Sequence, residues 1–410
     1  MQLSLKNIGK LKQAEIEING ITVIAGENNT GKSTVSRALF STFNSFFSLE
    51  QKVKSERINS IINRLSFVII QKRPNFTQEA LENIASTLIS SNKNNPYNYN
   101  TLQKDIINLC DLDIYTDKEI SDSTFKNIIN IILETLNITD DELTKLVLTK
   151  NINYEFNNQV SNIFNSESNY IKLQLKDNSI KLEFNNNIVK SIQKTINFDI
   201  INEAIYIDDF SIIDSLPVPY FDSFKHKIHL LKKLESKNNN LLDELINSNK
   251  LENIFTLIEK TCKGRIVRDK NNIFKFQENG KLLDIRNLST GLKTFVILKT
   301  LLLNNAINYN GVIILDEPET HLHPQWQLLL AELIVLLQKE FNLHVLLNTH
   351  SPYFLRAIQV FAGKYEIADT CKYYLSECIS EEMATIVDVS TDIEQIYKKL
   401  FVPLQQLEDI

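Results

Sequence analysis

The stretch Gly26-Glu27-Asn28-Asn29-Thr30-Gly31-Lys32-Ser33 fits G-x-x-x-x-G-K-[ST] at every fixed position. An apolar run, Ile21 to Ala25, precedes it and reads as a strand. Behind it, Val35, Leu39 and Phe40 recur as on the buried face of a helix that starts near Lys32. A strand, a glycine-bearing loop and a helix N-terminus in that order make a phosphate site. The loop N–H groups point at phosphate oxygens, and the helix dipole favours negative charge there. The expected phosphate-binding residues are Gly26, Glu27, Asn28, Asn29, Thr30, Gly31, Lys32, Ser33 and Thr34. Lys32 is expected to reach the β- and γ-phosphates as a point charge, and Ser33 to ligate Mg²⁺ through its hydroxyl. A turn that merely contains glycines is the bland alternative, and the flanking strand and helix weigh against it.

Three later segments belong with this loop. Val312-Ile313-Ile314-Leu315-Asp316-Glu317 is an apolar strand that ends in two acids. Burying such a strand puts Asp316 at the carboxyl edge of a sheet, where it can hold Mg²⁺, and leaves Glu317 to orient or deprotonate a water. Two solvated acids capping a strand would be the ordinary reading without the first motif. Leu288-Ser289-Thr290-Gly291-Leu292-Lys293 opens a helix, so Ser289 and Gly291 mark either a second anion site or a plain Ser cap. His350 ends the strand LLNTH and is a candidate γ-phosphate contact or a loop residue. His321 and His323 flank Leu322 and read as a turn rather than a metal pair, and Asp208-Asp209 read as a strand exit that could reach the nucleotide. The cationic stretches Lys225 to Lys237 and Lys263 to Lys270 are the best places for nucleic acid to touch, or else solvated faces.

The surrounding pattern is α/β. Alternation over Leu3, Leu5, Ile8 and then Ala14, Ile16, Ile18 gives two strands. Asn19-Gly20 then signals a tight hairpin into the strand at Ile21. Residues 41–153 read as helical, YIKLQL and IKLEF as a hairpin, AIYID as a strand, and 217–262 as a short helical hairpin. GRIVRD and NIFKFQ pair as strands. The last third alternates strand and helix through GVIILDEPE, QWQLLLAELIVLLQKE and HVLLNTHSP, with KYYLSE and TIVDVS as added strands and a closing helix. The chain has 410 residues, 43% of them hydrophobic, and a net charge of -6. That excludes a globally basic nucleic-acid binder. Cys110, Cys262, Cys371 and Cys378 lack zinc-ligand spacing and read as free thiols. No run approaches the ~18 apolar residues of a membrane span, and MQLSLKNIGKLKQ lacks a signal-peptide core. No membrane association and a cytoplasmic location are the expectation.

The order phosphate loop, LSTGLK, ILDEPE and THS resembles the ABC-type P-loop ATPases. ILDEPETHLHP with NTHSPYFL is similar to their soluble OLD-like and RecF-like branch, related to SMC heads. The resemblance covers roughly residues 1–45 and 280–410. It implies an α/β fold: an ABC-type ATPase head with a mixed central sheet and an N-terminal antiparallel β element. Residues 46–279 would then be a large inserted, mainly helical region with a β-hairpin portion. The glutamine-bearing loop of the family falls in that insertion, with Gln71 as a candidate. The resemblance further implies ATP and Mg²⁺ as cofactors and a head-to-tail dimer with a second copy of the chain. Lys32, Ser33, Asp316, Glu317 and His350 would act in cis, Ser289 and Gly291 in trans, and Glu319 to His321 would cross the interface. Asn29 stands where SMC-like loops carry Gly, and Asn tolerates the left-handed turn. Only 60 residues follow His350, with no Glu plus Asp-x-Asp set, so no TOPRIM nuclease is expected. A separate effector, nuclease or toxin, in anti-phage defence is the expected partner. A DNA-binding repair ATPase and a non-hydrolysing ATP-gated scaffold are the alternatives.

Overall fold

The computed structural model describes the chain except for residues 73–75, 111–121, 166, 197, 218–224, 237–250 and 409–410. It divides into two compact units, Met1–Phe47 with Thr149–Ile410, and Ser48–Leu148.

The first unit opens with β1 (Gln2–Ile8) and β2 (Leu11–Glu17), an antiparallel pair whose register closes at Ile8 opposite Leu11. Gly9, at φ 53°, takes the turn between them. The hairpin expected at Asn19-Gly20 does not form. β3 (Ile21–Gly26) leaves β2 and runs parallel between two late strands. The burial pattern gives the reason: all six residues of β3 are buried, whereas β2 alternates. A strand covered on both faces belongs inside a parallel sheet, and a half-polar strand belongs in a meander. α1 (Lys32–Phe46) follows directly and buries Val35, Ala38, Leu39 and Phe40.

The second unit is helical, with α2 (Leu49–Lys72), α3 (Gln78–Asn94), α4 (Tyr99–Cys110), α5 (Asp122–Asn137) and the start of α6 (Asp140–Glu155). Ile61, Leu65, Leu81, Leu88, Ile106 and Ile129 fill its core. Arg57 is buried there and donates to the carbonyls of Thr135 and Ile138 and to Asp140, each at 2.8 Å. The side chain of Gln71 lies outside the described residues.

Back in the first unit, β4 (Asn169–Leu175) and β5 (Asn178–Asn185) form the expected hairpin, and β6 (Ile188–Lys194) adds an unforeseen third strand. β4 pairs with β1, so this meander extends the same sheet. β7 (Ala204–Ile207) is followed by α7 (Lys225–Glu235) and α8 (251–258). The turn expected between those two helices lies outside the described residues. β8 (Arg265–Arg268), β9 (Phe274–Glu278) and β10 (Lys281–Asp284) make a separate three-stranded sheet. Then come α9 (Thr290–Leu303), β11 (Val312–Asp316), α10 (Pro324–Phe341), β12 (His344–Thr349) and α11 (Pro352–Lys364). β13 (Lys372–Cys378), β14 (Ala384–Asp388) and α12 (Glu394–Glu408) complete the described chain.

Among the described residues the large sheet runs β6-β5-β4-β1-β2-β14-β13-β3-β12-β11-β7. It is mixed: an antiparallel flank built on β1 and β2, and a parallel centre built on β3, β12, β11 and β7. The largest apolar cluster packs against that centre, with Phe295, Leu298 and Leu301 of α9, Leu330 and Ile334 of α10, and Phe354 and Ile358 of α11. No helix among the described residues is long and apolar enough to cross a membrane. Cys110, Cys262 and Cys371 are buried and Cys378 is exposed, with no disulfide among the described residues.

The close approach of β13 explains the first glycine of the loop. A Cβ on Gly26 would lie 2.2 Å from the carbonyl oxygen of Ser376. Gly26→Ala must therefore push β13 away from β3. The expected cost is about 1–3 kcal/mol, as for other overpacked sites, read as a lower midpoint in denaturant unfolding. An unchanged midpoint would show that β13 yields freely.

Candidate active site

The parallel register assembles the site. β12 lies between β3 and β11, with Thr349 opposite Ala25 and Asn348 opposite Asp316. Three strands therefore deliver Gly26, Asp316 and Thr349 to one carboxyl edge, where ligands of open α/β sheets bind. Beyond β3 the loop turns through Asn29 (φ 61°) and Gly31 (φ 92°) into α1. Glu27, Asn28 and Asn29 are exposed, while Thr30 is buried. The Thr30 hydroxyl donates to the Glu27 carbonyl at 2.8 Å, and the Ser376 hydroxyl donates to the Thr30 carbonyl at 2.8 Å. A Cβ on Gly31 would sit 2.6 Å from Leu11 Cδ2. The second motif glycine is thus fixed by both conformation and packing. Ser33 and Thr34 are half-buried in the first turn of α1.

Lys32 is buried and folds back over the loop, donating to the carbonyls of Gly26 at 2.9 Å and Glu27 at 2.7 Å. Its Nζ lies 3.8 Å from Glu317 Oε1. Burial lowers its pKa, opposed by the carboxylates of Glu317, Asp316, Glu319 and Glu27. The phosphate loop and the acids at 316 and 317 thus meet at one sheet edge.

Asp316 is 8% exposed. Its Oδ1 accepts from Asn348 Nδ2 at 2.9 Å and its Oδ2 from the Tyr206 hydroxyl at 3.0 Å. Asn348 Nδ2 also meets the Ser36 hydroxyl at 2.8 Å. Ser36 is three residues after Ser33, so both face the same side of α1. A hydroxyl and a carboxylate are hard oxygen donors. Mg²⁺ is commonly held by one or two such groups, with phosphates and water completing the shell. The donor set of Ser33 and Asp316 fits that ion.

Glu317 follows the strand at φ 50°, and its N–H donates to the Asn348 carbonyl at 3.0 Å. His350 Nδ1 lies 3.3 Å from Glu317 Oε1. The pair reinforce each other's charge: the His350 hydrogen bond lowers the Glu317 pKa, and Glu317 raises that of His350. Glu319 is turned inward, buried and hydrogen-bonded to the Thr349 hydroxyl, and burial raises its pKa. Thr320 and His321 remain exposed beside it.

Ser289 is exposed and caps α9, accepting from the Leu292 N–H at 3.3 Å. A Cβ on Gly291 would meet Leu322 at 3.1 Å and the Trp326 ring at 3.2 Å. LSTGLK therefore packs on the segment that follows the acids. Lys293 is buried and paired with Asp214 at 2.7 Å. His323 accepts from the Gln325 N–H and caps α10, which is a local structural role. Asp209 caps the short 3₁₀ turn Phe210–Ser215, and Asp208 faces His226 at 3.1 Å.

The cationic stretches are partly neutralised from within. Lys227 lies 3.7 Å from Asp208, Lys233 pairs with Glu203 at 2.7 Å, and Arg268 pairs with Glu235 at 2.9 Å. Lys237 lies outside the described residues. Sequence reading passed over Asn348, Tyr206 and Ser376, and it did not foresee Glu319 as a buried acid. Only the position of Asn348, two residues before His350 and directly after the apolar run Val345 to Leu347, gave a signal.

The AAA ATPase domain family matches residues 1–355. The Retron Vc95 probable ATPase of Vibrio cholerae serotype O1 biovar El Tor is 33% identical over 143 residues, which are 32% of this chain and 27% of that protein. The Retron Ec83 probable ATPase of Escherichia coli is 35% identical over 98 residues, 21% of this chain and 16% of that one. The matched stretches thus span about a quarter or less of these relatives. Among solved structures, an Smc head bound to the C-winged helix domain of ScpA aligns at 11% identity and a TM-score of 0.47, covering 96% of this chain and 98% of that chain. The recombination mediator protein RecF-ATPrS aligns at 11% identity and a TM-score of 0.37, covering 94% and 97%. With the family matched over residues 1–355 and a phosphate loop joined to two acids at one sheet edge, the chain belongs to the AAA ATPase domain family and is an ATP-binding P-loop ATPase.

Proposed function

We propose that the chain is a Mg²⁺-dependent ATPase that closes as a head-to-tail dimer around ATP and controls a separate effector in anti-phage defence. The observation that carries the catalytic part is Lys32 Nζ at 3.8 Å from Glu317, itself 3.3 Å from His350. In this reading the loop N–H groups from Gly26 to Thr34 cradle the phosphates, and Lys32 exchanges its carbonyl partners for phosphate oxygens. Ser33 and Asp316 hold Mg²⁺, which neutralises developing charge on the phosphates when bound. Glu317 orients and deprotonates the attacking water, while His350 keeps that carboxylate ionised and placed.

The dimer reading rests on LSTGLK. Ser289 is exposed at a helix N-terminus, and Gly291 is seated on Leu322 and Trp326 beside exposed Thr320 and His321. An anion-binding helix end presented on the surface suits the ATP of a second copy. The effector and defence reading rests on the names of the retron relatives, which say ATPase of a retron and nothing of a partner.

Glu317→Gln keeps the shape of the side chain and removes the base. Turnover should fall at least about a hundred-fold, while ATP binding and ATP-driven dimerisation persist in sedimentation. Hydrolysis at the wild-type rate would remove Glu317 from the chemistry, and a wild type that stays monomeric with ATP would remove the dimer. Trp326, the single tryptophan, touches Gly291 and reports on this region by fluorescence.

The ion pair also predicts a pH dependence. Glu317 titrates below its usual 4.5, so its contribution is present above that value and is lost as pH falls through the lowered pKa. His350 titrates above its usual 6.5, so its contribution is complete below that value and is lost as pH rises through the raised pKa. The stability difference between wild type and His350→Gln should therefore peak between pH 4.5 and 6.5 and fade on both sides. Both groups are partly solvated, so the peak should stay below about 1 kcal/mol. Denaturant unfolding across pH measures it, and a flat difference would contradict the pairing.

A further inference from the structure

Below the acids lies a buried polar chain that the hydrolytic reading leaves unused. β7 pairs parallel to β11 with Tyr206 opposite Ile314. Asp316 is two residues further along β11 and so projects from the same face. The Tyr206 phenol, 1% exposed, donates to Asp316 Oδ2 at 3.0 Å. Its ring lies on the His226 imidazole, with centroids 4.4 Å apart and planes 32° from parallel. Phe40 of α1 closes the other side, 5.9 Å from Tyr206 and edge-on to His226. His226 is itself held from both ends. Nδ1 lies 2.7 Å from Glu155 Oε2 and Nε2 lies 3.1 Å from Asp208 Oδ2. The His226 backbone N–H also donates to Glu155 Oε1 at 2.9 Å, which fixes the start of α7.

We infer that Tyr206, seated on His226, is a positioning residue for Asp316. This rests on the proposed reading of Asp316 as a metal-holding acid. The argument is geometric. A carboxylate at the end of a strand rotates freely about its last bond unless both oxygens are engaged. Here Asn348 takes Oδ1 and Tyr206 takes Oδ2. Each oxygen keeps a lone pair for a cation, and the plane of the carboxylate is set before any ligand arrives. The phenol in turn rests on a ring held by the buried Glu155 at 2.7 Å, by the half-buried Asp208 at 3.1 Å and by a backbone hydrogen bond. A phenol that simply needed an acceptor would require no such seat. Glu155 is buried against His226, whose ring serves as the floor for Tyr206. Partners that orient a ligating group commonly matter to metal affinity almost as much as the ligand itself.

Tyr206→Phe removes one oxygen and keeps the ring stack on His226 and Phe40. His226→Gln keeps a donor toward Glu155 and removes the seat. Each variant, and the wild type, is titrated with Mn²⁺ in the presence of a non-hydrolysable ATP analogue. The free-ion signal in electron paramagnetic resonance gives the metal midpoint, and a fluorescent nucleotide gives binding. Tyr206→Phe should raise the half-saturating Mn²⁺ concentration by about ten-fold or more, with nucleotide binding restored at saturating metal. His226→Gln should shift the midpoint the same way by less. An unchanged midpoint in a folded Tyr206→Phe protein overturns the inference, as does loss of nucleotide binding that no metal concentration restores. If Tyr206→Phe does not fold, an unchanged midpoint in His226→Gln overturns it alone. A wild type whose nucleotide binding ignores metal refutes the metal role of Asp316 instead, which is a separate failure.

Discussion

The site depends on one constraint: β12 must lie parallel between β3 and β11. That register puts Thr349 beside Ala25 and Asp316 beside Asn348. Lys32 and Glu317 come from segments nearly three hundred residues apart, yet they meet because their strands share a neighbour and a direction. The hydrophobic residues of β3, β11 and β12 are therefore part of the active site in a physical sense. They are buried on both faces, so a one-residue slip would cost core packing as well as alignment at the edge. Asn348 makes the coupling polar as well as geometric. Its one amide nitrogen reaches Asp316 and Ser36, linking the strand of the acid to the helix of the phosphate loop.

Electrostatics at that edge are balanced with the ligand in view. A buried ammonium among carboxylates is costly to desolvate unless partners surround it. Lys32 has two loop carbonyls and Glu317. Glu317 has His350 as a second basic neighbour beside Lys32, while Glu319 hides against Thr349 with a pKa raised by burial. The arrangement moves two carboxyl pKa values in opposite directions within two residues, Glu317 down through the His350 hydrogen bond and Glu319 up through burial.

The segments that meet at the sheet edge were legible because their residue types are rarely combined for any other reason. GENNTGKS and VIILDE each join an apolar strand to an otherwise improbable polar ending. The strand–helix alternation of the last third and its closing strands followed from periodicity. What escaped was set by neighbours distant in sequence. Asn19-Gly20 looked like a hairpin because local turn chemistry carries no information about β12 and β13, which recruit β3. β6 and β10 are short strands with poor alternation, held by pairing rather than by their own pattern. α11 was hidden behind a His-Ser-Pro exit that reads as loop, although Ser351 caps it and Pro352 opens it. Tyr206 was invisible for the plainest reason. A tyrosine in an apolar strand is ordinary until its hydroxyl is found on a carboxylate more than a hundred residues away.

Glu317 illustrates how the edge stores its geometry. A glutamate at φ 50° occupies a region that costs of order 1–3 kcal/mol when the surroundings do not impose it. Here they do. Its N–H is taken by the Asn348 carbonyl, which extends the β11–β12 pairing by one residue, and Pro318 follows at once. The chain must therefore turn at Glu317 rather than continue as strand. The left-handed turn swings the side chain back over the sheet edge, toward Lys32 and His350. A residue in extended conformation would point its side chain to one or the other face of the sheet, as Asp316 does. Two adjacent acids thus face different partners because the second sits where the strand is forced to stop.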